Sequence, residues 1–246
     1  MKLHVLGSNS AGNSYLLETH QGEVLMLEAG INFSLIKQDL GFRMDRITAC
    51  LVTHAHKDHS KSIKEVLKAG ITVVGPQHVY SQLDAISAHR YFIAEPGIKT
   101  YLGSFEIIPV DVRHDVPCVA YLIRHLEMGT TCFITDTFYV PYTFPGLNNV
   151  IVECNYSRDI LERNILNGSL NAMVMKRVCS SHMELQTCKD FLKANDLSAV
   201  NNIVLIHLSD GNSNAERFQR EVQEQTGKTV HVADKGMTIN FDKTPF

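Results

Sequence analysis

A chain of 246 residues with 44% hydrophobic residues can bury one substantial core and is too apolar for disorder. Its formal net charge of −3 excludes global attraction to a polyanion or a membrane surface, so any such partner must be held locally. No apolar run approaches the ~18 residues of a spanning helix.

The opening run Met1 to Leu6 is broken by Gly7 too soon for a signal peptide and reads as a first strand. Residues 2–6 and 14–18 pair around the turn-forming run Gly7 to Asn13. A third strand spans 24–27 and ends in Glu28-Ala29-Gly30, and 33–40 has helical spacing. The apolar run 47–52 reads as a buried strand. Residues 60–69 read as a helix, with Ile63, Val66 and Leu67 on one face and Lys61, Lys64 and Lys68 on the other. A strand at 71–74 and a helix at 77–89 follow. Strands are then expected at 105–110, 119–123, 131–135 and 150–153.

The second half is more helical, at 158–166 and 170–178. Ser181 to Glu184 fits a capping box, with Ser181 as N-cap and Glu184 reaching back, and the helix it opens carries Leu185, Cys188, Phe191 and Leu192 on one face. After a strand at 203–206, Ser213 to Glu216 forms a second capping box, whose helix stops at Gly227. Strands at 229–233 and 237–241 end the pattern. No repeat, low-complexity run or linker divides the chain, so residues 1–246 are expected to form a single domain. The six cysteines form no C-x-x-C pair and read as buried, reduced thiols of a cytoplasmic protein.

The chemistry concentrates in Thr53 to His59, between the strand 47–52 and the following helix. His54 and His56, two apart on a loop, can face one ion, and Asp58 and His59 can face a second from the helix entrance. Imidazole suits zinc and other first-row metals, and a hard carboxylate such as Asp58 beside it suits a site that must activate water. Three further apolar runs each end in a residue that can ligate a metal: His114 after 105–112, Asp136 after 131–135 and His207 after 203–206. A lone histidine after a strand is more often a satisfied core or surface residue. The joint pattern, at the carboxyl ends of strands where loops converge, carries the reading.

The run His54-x-His56-x-Asp58-His59 resembles the signature of the metallo-β-lactamase superfamily of binuclear metal hydrolases, and the later His114, Asp136 and His207 keep its ligand order. The resemblance implies an α/β (α+β) fold, a four-layer αββα sandwich of two mixed β-sheets with helices outside and the site at one edge. It implies two divalent ions, Zn2+ or Mn2+. His54, His56 and His114 would hold one, Asp58, His59 and His207 the other, and Asp136 would bridge. The superfamily usually has Asp where this chain has Glu28; there the carboxylate orients ligand histidines.

Within the superfamily the chain looks most like the small bacterial WalJ-type branch of DNA exonucleases. The resembling pieces are Gly7-Ser8 with Gly12-Asn13-Ser14, Thr135-Asp136-Thr137, Glu153-Cys154-Asn155, Ser181-His182-Met183, and His207-Leu208-Ser209 with Asn212. Tyr156 stands where that branch usually has His, which implies a lost substrate contact. The implied reaction is phosphodiester hydrolysis by a hydroxide held between the ions. His182, expected at a helix start that favours an anion, is the candidate proton donor or phosphate contact, against the plainer reading of an exposed first-turn histidine. Only about 70 residues lie between Asp136 and His207, without the long insertion of the RNA-processing branch. DNA or another phosphodiester is the expected partner. The alternatives are a lactone, thioester or cyclic-nucleotide hydrolase on the same cage, or a metal-binding module whose activity has decayed.

Overall fold

A computed structural model describes residues 1–83 and 88–244. The first half gives β1 (Lys2–Asn9), β2 (Gly12–Glu18), β3 (Val24–Leu27), α1 (Phe33–Asp39), β4 (Ile47–Leu51), α2 (Lys57–Ser60), α3 (Ile63–Lys68), β5 (Thr72–Gly75), α4 (Gln77–Tyr80) and β6 (Tyr91–Ile93). The second gives β7 (Thr100–Leu102), β8 (Phe105–Val112), β9 (Cys118–His125), β10 (Gly129–Ile134), β11 (Leu147–Glu153), α5 (Arg158–Leu166), α6 (Ala172–Ser181), α7 (Leu185–Ala194), β12 (Asn202–Ile206), α8 (Ala215–Thr226), β13 (Thr229–Val232) and β14 (Thr238–Asn240).

The strands form two seven-stranded sheets, ordered β14-β1-β2-β3-β4-β5-β6 and β13-β12-β11-β10-β9-β8-β7. Both are mixed. In the first, β14 to β3 pair antiparallel and β3 to β6 parallel. In the second, β13 to β10 pair parallel and β10 to β7 antiparallel. Period-two alternation divides each strand between two layers. Leu25 and Leu27 of β3 join Tyr121, Phe133 and Ile206 in the core between the sheets. Val24 and Met26 face Ile36, Ile63 and Val66 of the outer helices. On the second sheet Val150, Val152 and Leu205 pack against Leu192, Phe218 and Val222 of α7 and α8. Strands covered on both faces read as continuous apolar runs, as these do. The result is the αββα sandwich the resemblance implies. The six cysteines are unpaired, five of them buried and Cys179 half-buried. Among the described residues no helix is long and apolar enough to cross a membrane.

Several local expectations change. The β1–β2 hairpin runs through the expected turn, with a bulge between Val5 and Gly7. The helix expected at 60–69 begins earlier, at Lys57, and breaks at Ser62, whose main-chain N and Oγ both donate to Ala29 O. The helix expected over 77–89 ends at Tyr80 as α4, and its later part falls partly outside the described residues. The short edge strand β6 was not anticipated.

Both capping boxes shift register. Ser181 closes α6, His182 is its C-cap, and Glu184 is the N-cap of α7, accepting from the Gln186 and Thr187 main-chain N–H groups. Asn214 rather than Ser213 caps α8, accepting from Arg217 N. His182 therefore lies at a helix C-terminus and not at an N-terminus, so no helix dipole favours an anion there.

Candidate metal centre

Strands β4, β8, β10, β11 and β12 each deliver following residues to one cleft. The segment after β3 acts as the clamp. Ala29 N donates to His59 O, Gly30 N to Asn13 O, and Ser62 N to Ala29 O, which ties α2 down. Gly30 is needed for this approach: a Cβ there would sit 1.7 Å from the Asp58 carbonyl oxygen. The loop before α2 is fixed from the other sheet, where Val119 N donates to Thr53 O at 3.0 Å.

The expected ligand residues come together in overlapping groups, each with its ligand atoms within 4.8 Å of one another. His54, His56 and His114 form one, and Asp58, His59 and His207 another. Asp136 joins His54 and His59 in a third and His207 in a fourth, so it lies between the two sets. That fourth group also holds Glu153 and His182.

The rings of His54, His114 and His207 are oriented by the nitrogen they turn away from the centre. His54 Nδ1 lies 3.0 Å from Thr53 Oγ1, with Cys118 Sγ at 3.8 Å. His114 Nδ1 donates to Ser181 O at 2.9 Å, and its Nε2 lies 3.2 Å from His56 Nδ1. His207 Nδ1 is 2.9 Å from Glu153 Oε1. His59 Nδ1 faces Glu28 Oε1 at 3.5 Å, while its Nε2 meets Asp136 Oδ2 at 2.9 Å and Asp58 Oδ2 at 3.3 Å. Glu28 also accepts from Thr53 N at 3.3 Å. The longer side chain thus stands behind a ligand-type histidine, as a carboxylate that orients a metal ligand does.

Two ring nitrogens aimed at the centre, His54 Nε2 and His207 Nε2, are buried and lack a hydrogen-bond partner among the described residues. Buried polar groups are normally paired. Imidazoles and carboxylates converging around such unsatisfied nitrogens are a donor set that fits divalent metal ions.

The electrostatics agree. Burial, with His59 adding, holds His54 well below its usual pKa and so neutral, the form that ligates. Burial opposes charge on His59, yet Asp136 and Glu28 outweigh it and hold the ring well above its usual range. Burial likewise opposes charge on His207 and His182. Asp136 and its neighbours push His207 up to about 9, and Glu153 with Asp136 pushes His182 up to about 10. Protonated histidines here neutralise buried carboxylates, a task divalent cations between the same atoms would take over.

Three of the four non-glycine residues with left-handed backbone among those described are in this region: Glu28 at φ 65°, Asp136 at 50° and His207 at 56°. Non-glycine residues adopt this conformation at a cost that the surrounding structure must overcome.

The centre opens into a cleft of about 500 Å³. Of the basic residues Arg43, Arg46, Lys57, Lys61, Arg113 and Arg177, only Lys57 and Arg177 line it, with no carboxylate partner for either among the described residues. Arg43 pairs with Asp45, Arg46 with Glu18, and Lys61 lines a separate pocket beside Lys235. Tyr156 is buried against Leu161 and Val178 and does not line the cleft.

Glu153 belongs to the site as well, though its place at a strand end does not by itself assign it a role. It is fully buried and accepts from Thr137 N, Met183 N and the Nδ1 atoms of His182 and His207. The available signal was the one that found Asp136: an apolar strand ending in a carboxylate.

The model of the metallo-β-lactamase superfamily matches residues 8–104, and the fold of the whole chain is that of this superfamily. Its His, Asp and Glu clusters are of the kind that hold metal ions, consistent with metal-dependent hydrolase chemistry. The chain is similar to the exodeoxyribonuclease WalJ of Streptococcus pneumoniae, 23% identical over 256 residues covering 98% of this chain and 92% of that one. It is also similar to the exodeoxyribonuclease YycJ of Bacillus anthracis, 26% identical over 243 residues covering 91% and 89%. Among solved structures, the metallo-β-lactamase fold protein YhfI of Bacillus subtilis superposes with a TM-score of 0.75 at 17% identity, over 97% of this chain and 98% of that one.

Proposed function

We propose that the protein is a metal-dependent phosphodiesterase that removes nucleotides from a DNA end. His54, His56 and His114 would hold one divalent ion and Asp58, His59 and His207 the other, with Asp136 between. When bound, such ions supply an activated water and charge stabilisation for in-line displacement at phosphorus. The observation that carries the reading is the pair of cations, Lys57 and Arg177, at a cleft whose floor is otherwise built for metal. An acidic chain can retain a polyanion only through such local charge. The two exodeoxyribonucleases, similar along nearly their whole length, support the same substrate class.

His182 supplies the proton the leaving oxygen needs. Its Nδ1 is held by Glu153 at 2.8 Å and lies 3.2 Å from Asp136 Oδ1, which keeps the ring charged and leaves Nε2 as the donating atom. Proton donation by a placed histidine contributes ~10²–10⁴-fold to a rate. The donor role is thus carried by a buried carboxylate rather than by a helix dipole.

The test is turnover of end-labelled DNA and bis-p-nitrophenyl phosphate against a lactone and a thioester, with added zinc or manganese. Cleavage of the first pair is expected. Turnover of the lactone or thioester alone would replace this reading with that of a small-molecule hydrolase.

A further inference from the structure

The wall of the cleft beyond His207 carries Ser209 and Asn212. Asn212 donates to Ser209 Oγ twice, from its main-chain N at 3.3 Å and its side-chain Nδ2 at 3.2 Å. The direction of the Asn212 amide is set from α5. Asn164 Nδ2 donates to Asn212 Oδ1 at 3.0 Å and to Gly211 O at 2.8 Å. The serine's own backbone is fixed as well. Ser209 N donates to Asn155 O at 2.9 Å, and Ser209 O accepts from Ser213 Oγ at 2.6 Å.

A serine hydroxyl has two lone pairs and one proton. At Ser209 both lone pairs face N–H donors, so the oxygen can act further only by donating. Among the described residues nothing accepts that proton, while the residue is half-buried on the cleft wall two positions after a ligand-type histidine. A donor with no acceptor among the described residues, in a cleft that Arg177 and Lys57 also line, is matched to an anionic oxygen.

We propose that Ser209 is a substrate-positioning residue whose hydroxyl donates to a non-bridging oxygen of the bound phosphate, aimed there by the Asn164–Asn212 relay. The identity of that oxygen rests on the phosphodiesterase reading above. The role differs from that of His182. Ser209 transfers no proton and acts on binding.

The experiment compares manganese-loaded wild type with Ser209→Ala, Ser209→Thr and Asn164→Ala. It reads bound metal, kcat and KM on single-stranded DNA, and the affinity for inorganic phosphate from the paramagnetic broadening of its phosphorus resonance. Ser209→Ala should weaken phosphate binding and raise KM together by ~10–150-fold, the worth of one hydrogen bond to a charged group, with metal content unchanged and kcat within about threefold. Ser209→Thr keeps a hydroxyl and should restore both. Asn164→Ala should move both in the same direction by less. Phosphate affinity unchanged within about twofold in Ser209→Ala would overturn the proposal, as would loss of metal, which would make the serine a prop for His207. If wild type fails to cleave DNA, the phosphodiesterase reading falls, and phosphate affinity alone still decides this one. Wild type that binds no phosphate sinks it.

Discussion

The two ends of the second sheet treat buried polarity in opposite ways. At the carboxyl ends, β11 and β12 run into Glu153 and His207, charged or chargeable groups whose ring and carboxylate partners converge on an opening. At the amino ends, the same strands carry asparagines. Asn149 Nδ2 donates to Met128 O and Phe241 O, and Asn202 Nδ2 donates to Asn149 Oδ1 and Asn240 O. Asn148 accepts from Thr130 N and donates to Ala199 O. Neutral amides close this end using the chain's own carbonyls and seal β14 to the sandwich. The metal end leaves His54 Nε2 and His207 Nε2 without a hydrogen-bond partner among the described residues, the Asp58 carboxylate lying 3.4 Å from His207 Nε2. One end is complete in itself, and the other is completed from outside.

That contrast can be broken by substitution. The largest effect is expected from His56→Ala with Asp136→Ala, which should empty both ion positions and abolish turnover; elemental analysis showing unchanged metal would refute the ligand set. Chelation of the wild type should likewise lower its melting temperature, since metal binding adds to folding stability.

Next is His182→Ala. It should keep the metals and the fold and reduce hydrolysis of a DNA end by ~10²–10⁴-fold. A p-nitrophenolate leaving group departs without a proton, so that substrate should suffer much less. Equal losses on both would leave His182 as a phosphate contact, and loss of metal would make it a ligand.

Glu28→Ala should cost ~10–100-fold in metal affinity or rate, whereas Glu28→Asp should stay within about tenfold. A neutral Glu28→Ala would mean that His59 does not depend on it.

The smallest functional effect belongs to the opposite end. Asn202→Ala leaves Asn149 Oδ1 and Asn240 O unpaired and should cost about 1–3 kcal/mol of stability. The melting temperature should fall by roughly 2–4 °C per kcal/mol, with metal content and kcat/KM unchanged. A loss of metal in this variant would show that the two ends are coupled.

The sheets were legible because their signals are local. Val24–Leu27 and Arg158–Leu166 stand where their spacing places them, and each expected ligand residue follows a recognisable strand. What was illegible depends on contacts between distant residues. Ser181 and Glu184 satisfy a capping box on paper. Glu153, about 30 positions earlier, accepts from Met183 N and His182 Nδ1 and holds that stretch extended. The α7 cap therefore falls to Glu184. The break at Ser62 has the same origin, in a carbonyl of the segment after β3. Glu153 itself gives no sign in sequence of the two histidines it serves.

The left-handed backbone at Glu28, Asp136 and His207 has an evolutionary corollary. An L-residue held there gives up about 1–2 kcal/mol that glycine would not. Thermal selection on the metal-free protein should therefore enrich glycine or asparagine at these three positions, trading the ion cage for robustness. The same chain grown under selection for turnover should hold all three. A stabilised consensus built without regard to function would erase the site first, and its fold last.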